Sequence, residues 1–219
     1  MRLGSILLKL SKKMSRKGLY EFLAGELLNV KCNSKVLNIG SGGDIGLLVA
    51  KFAKLNGFEV VTMDIDQARL PDIVADICFI KYQDEFDYII LSEVLEHVKY
   101  PHSAIDNLYA SLKKQGTLIL TVPFIFPIHD RPNDYFRYTK YGLEMMLSKF
   151  NKVKIDERLG WAETFSVLAS RFVREGEGRP FFTTFLVIFS FVLFPIFSIL
   201  SKLYKSDFIT TCYCVVAKK

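Results

Sequence analysis

Cysteine, tryptophan and histidine are scarce: the 219 residues include four cysteines, one tryptophan and three histidines. Cys32, Cys78, Cys212 and Cys214 show no framework spacing, which excludes a disulfide-stapled scaffold and reads as reduced thiols in the cytosol. Cys212 and Cys214 share one face of a predicted strand, yet no second pair and no nearby histidine accompany them, so no metal site is expected. The sequence also lacks any lysine- and arginine-rich run with interleaved aromatics. The net charge of +6 therefore suits an anionic membrane surface, and no nucleic-acid face is expected. Two further gaps are local: no acidic residue occurs from Met1 to Lys17, and no charge at all from Phe181 to Leu200.

What is present starts with Val36-Leu37-Asn38-Ile39, an apolar run that stops at Gly40-Ser41-Gly42-Gly43. Asp44 then opens a segment with Ile45, Leu48, Val49, Phe52 and Leu55 at helical spacing, with Asp44 placed to cap it. Strand, glycine turn and helix form a place where backbone N–H groups meet a ligand closely. Glu59 to Met63 reads as a second strand ending at Asp64, whose carboxylate can take both ribose hydroxyls of a nucleoside. The dinucleotide fingerprint fails because Ile45 stands where its last glycine belongs, so a single nucleoside fits better than NAD.

Further along, Ile73 to Ile77 reads as a short strand carrying Asp76, and Phe86 to Ser92 as a strand buried on both faces. Pro101 to Leu112 reads as a helix, Gly116 ends its connection, and Thr117 to Val122 is another strand. A helix from Lys140 to Phe150 and a strand from Val153 to Leu159 follow. Strands alternating with helices imply right-handed crossovers and a parallel sheet: an α/β, doubly wound, Rossmann-like fold. Ile209 to Ala217 reads as the final strand.

Between Pro123 and Lys140, histidine, carboxylate, guanidinium and phenol groups crowd together as His129, Asp130, Arg131, Asp134, Tyr135, Arg137 and Tyr138. Such a loop beyond a strand's C-terminal end is where an open α/β sheet holds its ligand. An ordered surface loop with Arg–Asp pairs is the plainer reading of the same residues.

With these motifs in view, the chain resembles the class I S-adenosylmethionine-dependent methyltransferases, in particular the small type 11 group. VLNIGSGGDIG, VVTMDID, ADI, FDYIILSEVLEHV and LKKQGTLILTVP look like that family's motifs in order, and PIHDRPNDYFRYTKYGLEMML is similar to a subgroup associated with glycan or cell-envelope biosynthesis. The resemblance implies S-adenosylmethionine as cofactor. Gly40, Ser41 and Gly42 would pass under its methionine part, Asp64 would bind the ribose, Ile65 would pack on adenine, Asp76 and Ile77 would meet the adenine edge, and Asn38 and Ser92 complete the set. Asn38 stands where the family usually has an acid. His129 beside Asp130, or His97, would serve as base if the acceptor is a hydroxyl, with Arg131, Tyr135, Arg137 and Tyr138 on the substrate. The fold so implied has an antiparallel final strand inserted between its two predecessors.

The expected organisation is a basic amphipathic helix over 1–17, a methyltransferase domain over 18–160 and 206–219, and a helical insertion over 161–205 with a hydrophobic, membrane-associated segment at 181–204. A secretory signal is not expected over residues 1–17, since Lys9 interrupts a short apolar core and no small-residue cleavage site follows; a transit peptide shares the composition. At about 1.5 Å per residue the uncharged run matches a bilayer core. A true span, however, would separate the final strand from its sheet, and Pro195 breaks the run. A monotopic pair of helices, Phe181 to Phe194 and Ile196 to Tyr204, lying in the cytoplasmic leaflet beside the first helix is expected instead. The acceptor implied is a glycan, glycolipid or other lipid-linked molecule. A quinone or other hydrophobic small molecule is the alternative substrate, and a catalytically silent assembly subunit the alternative class.

Overall fold

The computed structural model describes residues 3–40, 42–171 and 180–219. Ser41, Arg179 and the first two residues lie outside the described set. The chain divides into two units, one of residues 20–123, 130–156 and 213–219 and the other of residues 1–19, 124–129 and 157–212.

The larger unit is built on a seven-stranded sheet. β1 (Lys35–Ile39), β2 (Glu59–Asp64), β3 (Ile73–Val74), β4 (Phe86–Ser92), β5 (Leu112–Pro123), β6 (Lys152–Glu157) and β7 (Cys212–Lys218) lie in the order β3-β2-β1-β4-β5-β7-β6. β1 runs parallel to β2 with Val36 opposite Val60, and parallel to β4 with Val36 opposite Tyr88. The last strand is antiparallel, as expected: the Lys219 N–H bonds Gly116 O at the end of the chain, while Phe124 N–H, beyond the other end of β5, bonds Thr211 O. β-branched and leucine side chains form these central strands because both faces are covered; Val36, Leu37, Ile89, Ile90, Leu91, Leu118 and Leu120 are all buried. The helices of this unit are α2 (Leu19–Leu28), α3 (Gly43–Asn56), α4 (Pro101–Ser111) and α5 (Lys140–Met146). Leu23 and Leu27 of α2, Val49 of α3, Ala104 and Leu108 of α4 and Leu143 of α5 are among their buried residues.

Several local expectations are corrected. Asp44 does not cap α3, which starts one residue earlier from Gly42; its carboxylate accepts the Tyr20 hydroxyl at 3.2 Å instead. β3 stops at Val74 because Asp76 turns the chain, its Oδ1 accepting the Cys78 N–H at 2.9 Å. Gly116 lies within β5 and not in a connection, because β7 supplies partners for it and for Gln115, whose N–H bonds Lys219 O. α5 ends at Met146, short of the expected Phe150.

The smaller unit holds α1 (Leu3–Ser15), α6 (Trp161–Ser170) and α7 (Pro180–Leu203). Met14, Leu159 and Val167 form its core, with Phe126, Phe191 and Phe194 packed on it. α7 is one helix and not the expected pair. Pro195 removes one N–H bond to the turn before it, and the packing of Phe191 and Phe194, both in that preceding turn, on the core holds the helix through that loss. Ala162 N–H bonds Ser201 Oγ, and a methyl group on Gly160 would overlap Ser201, so α6 and α7 approach closely. The other face of α7 is bare: Phe181, Phe185, Ile188, Val192, Ile196, Ile199 and Leu203 recur at helical spacing and are all exposed.

Candidate active site

Strand order reverses between β1 and β4, since β2 and β3 extend one way from β1 and β5 extends the other way from β4. Ligands of open α/β sheets sit at that point, beyond the strands' C-terminal ends. A cleft of about 460 Å³ opens there, lined by residues that follow four strands in turn: Gly40, Asp64 with Ile65, Asp76 with Ile77, and Glu93 with Val94.

Each wall has a local cause. Gly40 has φ +69°, where only glycine is at ease, and a methyl group there would overlap Val94 Cγ2. Asp64 is buried at 5% exposure, with Oδ1 accepting the Asp66 N–H at 3.0 Å and Oδ2 the Arg69 guanidinium at 3.2 Å. Asn38, two residues before Gly40 on the same strand, is 1% exposed, and neither its amide nitrogen nor its oxygen has a partner among the described residues. Asn38 is not itself among the lining residues, and a buried amide with two unmet hydrogen bonds directly behind the cleft calls for a partner. Together with the glycine turn and the strand-end carboxylate, it fits a cofactor with an amino or carboxyl group and a ribose. Ser92 is turned elsewhere: its hydroxyl and that of Thr121 lie 2.8 Å apart, and Thr121 Oγ1 bonds Glu93. It does not line the cleft.

The opposite wall comes from the sequence EVLEH and the loop after His129. The carbonyl of Glu96, a residue fully buried, accepts N–H groups of Tyr135 and Phe136, and the carbonyl of Leu95 accepts the Tyr138 hydroxyl at 3.1 Å. Burial and the Glu96 charge push the Tyr138 phenol well above its ordinary range. Arg137 pairs bidentately with the buried carboxylate of Asp134. Tyr138 and Arg137 thus hold the loop in place, and their neighbours Asp130, Asn133 and Tyr135 line the cleft. Tyr135 is partly exposed and bonds Asn133 Oδ1 at 2.8 Å. Arg131 is exposed and is not among the lining residues.

His97 lines the same cleft. Its Nδ1 lies 2.6 Å from Asn133 O. A carbonyl only accepts, so Nδ1 carries the proton and Nε2 the lone pair in the neutral ring. Nε2 stands 3.7 Å from Glu96 Oε1 and 3.9 Å from Asp130 Oδ2, two carboxylates that would stabilise the imidazolium once a proton arrives. His129 belongs to the smaller unit, where its ring sits edge-on to Phe126 and its Nδ1 is 3.3 Å from Pro127 O. The lining residues that escaped the sequence reading include Asp66, Arg69, Glu93, Val94 and Asn133. Glu93 has φ +55°, which no spacing rule announces.

Residues 3–160 match the family described as the methyltransferase domain. The chain belongs to the methyltransferase-domain family. The motifs, the cleft and this match agree on a class I enzyme using S-adenosylmethionine. No curated protein matches the sequence. Among solved structures, the methyltransferase is similar to a SAM-dependent methyltransferase from Archaeoglobus fulgidus (TM-score 0.59, 16% identity, 91% of this chain and 94% of that one). It is also similar to phosphoethanolamine N-methyltransferase 2 of Haemonchus contortus in complex with S-adenosyl-L-methionine (TM-score 0.56, 17% identity, 87% and 49%). The [4+2]-cyclase SpnF shares the fold as well (TM-score 0.61, 14% identity, 92% and 80%). At these identities the likeness speaks for the fold alone, and the cyclase illustrates why; methyl transfer rests on the family match.

Proposed function

We propose that this methyltransferase acts at the cytoplasmic face of a membrane, transferring a methyl group to a hydroxyl oxygen of a glycan, glycolipid or other lipid-linked acceptor. The observation that carries the membrane part is the bare face of α7. Its window Thr184–Leu203 has a mean hydropathy of 2.4 with 11% of its residues buried, long and apolar enough to cross a bilayer by length and composition. The opposite face is tied to α6 through Ser201, and Trp161 Nε1 bonds Tyr204 O at 2.8 Å. A helix held along one side and greasy along the other suits lying in one leaflet. Lys9, Lys12 and Lys13 of α1, all exposed, and Lys202 and Lys205 supply charge for anionic headgroups.

Bound S-adenosylmethionine supplies an electrophilic methyl on a sulfonium sulfur. Asp64 and the Gly40 turn would orient it, and Asn38 would gain partners for its amide. With the cofactor bound, His97 Nε2 would take the proton of the acceptor hydroxyl that receives the methyl group. Glu96 and Asp130 then face an imidazolium. Alignment of the nucleophile provides much of the acceleration, and the base about 10²–10⁴-fold.

The test combines vesicles and extract. The chain should float with vesicles containing phosphatidylglycerol and less with pure phosphatidylcholine, and Phe185→Asp with Val192→Asp should abolish flotation while leaving cofactor binding unchanged. Labelled methyl from S-adenosylmethionine should enter a lipid fraction in an alkali-stable ether. No flotation on either vesicle refutes the membrane reading; label in a quinone, or on nitrogen with His97→Ala still active, refutes the acceptor. Cofactor binding with no transfer to any fraction favours a silent subunit.

A further inference from the structure

Arg69 stands in the cofactor cleft of the larger unit with no role so far. It follows β2 on a single turn of 3₁₀ helix (Gln67–Arg69), capped by Asp66, whose Oδ1 accepts the Ala68 N–H at 2.9 Å. Its Nη1 donates to Asp64 Oδ2 at 3.2 Å. The same side chain lies against the glycine turn: a methyl group on Gly42 would stand 3.2 Å from both Arg69 Cδ and Nη1. The guanidinium therefore bridges the gap between Gly42 and Asp64, the two positions that the family resemblance assigns to the cofactor.

Asp64 cannot serve Arg69 and the ribose hydroxyls with the same oxygen in the same direction. Oδ1 is already taken by the Asp66 N–H at 3.0 Å, which leaves Oδ2 as the contested atom. An alternative partner stands beside it: Arg69 Nε is 3.8 Å from Asp66 Oδ2, and Arg69 and Asp66 are both about half exposed (52% and 54%), so the side chain has room to turn. Asp64, at 4% side-chain exposure, is the carboxylate that needs a compensating donor when the cleft is empty.

We propose that Arg69 is a displaceable latch: it neutralises Asp64 in the empty cleft, yields that carboxylate to the cofactor's ribose, and moves to Asp66 when the cofactor enters. The latch sets cofactor affinity by competition. It rests on the cofactor assignment and is independent of the acceptor and of the membrane.

Calorimetric titration with S-adenosylmethionine and S-adenosylhomocysteine tests it in the full chain. Arg69→Gln removes the competitor and should tighten both ligands by about two- to five-fold, the scale of a half-exposed ion pair. Asp66→Asn keeps an oxygen for the Ala68 N–H but withdraws the resting place, and should weaken both by about two-fold; the double variant should behave as Arg69→Gln alone. Raising salt from 50 to 500 mM should move the wild-type affinity toward that of Arg69→Gln and leave the variant unmoved. Binding by Arg69→Gln that is unchanged or weaker overturns the latch. A gain confined to the sulfonium ligand overturns it too, since that would be charge repulsion without competition for Asp64. A wild-type chain that binds neither ligand removes the cofactor assignment and the latch with it.

Discussion

Replacing Gly40 by alanine separates backbone strain, side-chain overlap and ligand contact in one residue. At φ +69° an L side chain costs about 1–2 kcal/mol in the folded state. Stiffening the unfolded chain returns about 0.4–1 kcal/mol. The new methyl must also displace Val94 Cγ2, and an off-rotamer valine adds about 0.5–1.5 kcal/mol. The net loss is about 0.5–3 kcal/mol, which for a chain of this size lowers Tm by roughly 1–12 °C. Gly43 is the control. Its φ of +68° is the same, yet nothing stands within 4 Å of an added methyl, so Gly43→Ala should lose only about 0–1.5 kcal/mol. Thermal melts followed by circular dichroism, with titration of S-adenosylhomocysteine, read both quantities. Gly40→Ala should be the less stable of the two and should bind at least about ten-fold more weakly, because the turn that passes under the ligand has moved. Equal melting points for the two variants would refute the overlap with Val94. Full affinity in Gly40→Ala would refute the path of the cofactor across this turn.

Asn38→Leu exchanges an unsatisfied buried amide for a hydrocarbon of similar size. Stability without ligand should hold or rise by about 1 kcal/mol while cofactor binding falls at least about ten-fold; a clear loss of stability would mean the amide has partners in the empty protein. Asn38→Asp should bind cofactor as well as the wild type or better, measured by the same titration. His97→Ala should lower turnover about 10²–10⁴-fold with cofactor affinity within about three-fold, and His129→Ala should leave turnover largely intact; the reverse pattern would move the base to His129. Asp72 is held below the usual carboxylate range by the Thr62 hydroxyl and N–H; Asp87 is too, where burial pushes upward but hydrogen bonds from Lys113 and the Lys35 N–H outweigh it. A depressed folded pKa contributes stability above the unfolded value that is lost as pH falls through the folded one, so urea midpoints should decline below about pH 4, and less in Asp72→Asn.

The local order of this protein was legible in its sequence. Val36 to Ile39 and Phe86 to Ser92 declared themselves as strands because a parallel sheet buried on both faces needs unbroken apolar runs, and the glycines after Ile39 could only be a turn. The carboxylate at Asp64 followed, since a strand's end fixes where a side chain meets the cleft. Asn38 drew notice by replacing an expected acid. Tertiary structure decided what depended on partners distant in the chain. Gly116 became strand because β7 returned to pair with it. Arg137 and Tyr138, chemically as good as any substrate ligand, were drawn into holding their loop on Asp134 and the Leu95 carbonyl, while Asp130 and Tyr135 from the same loop were left on the cleft wall. Arg69 lay in no motif and met Asp64 only because a turn folded it back over Gly42. α7 stayed whole through Pro195 because the packing of its neighbours outweighed one lost hydrogen bond. Periodicity encodes which face of an element is apolar; only the folded chain settles what that face, or a polar side chain beside it, will meet.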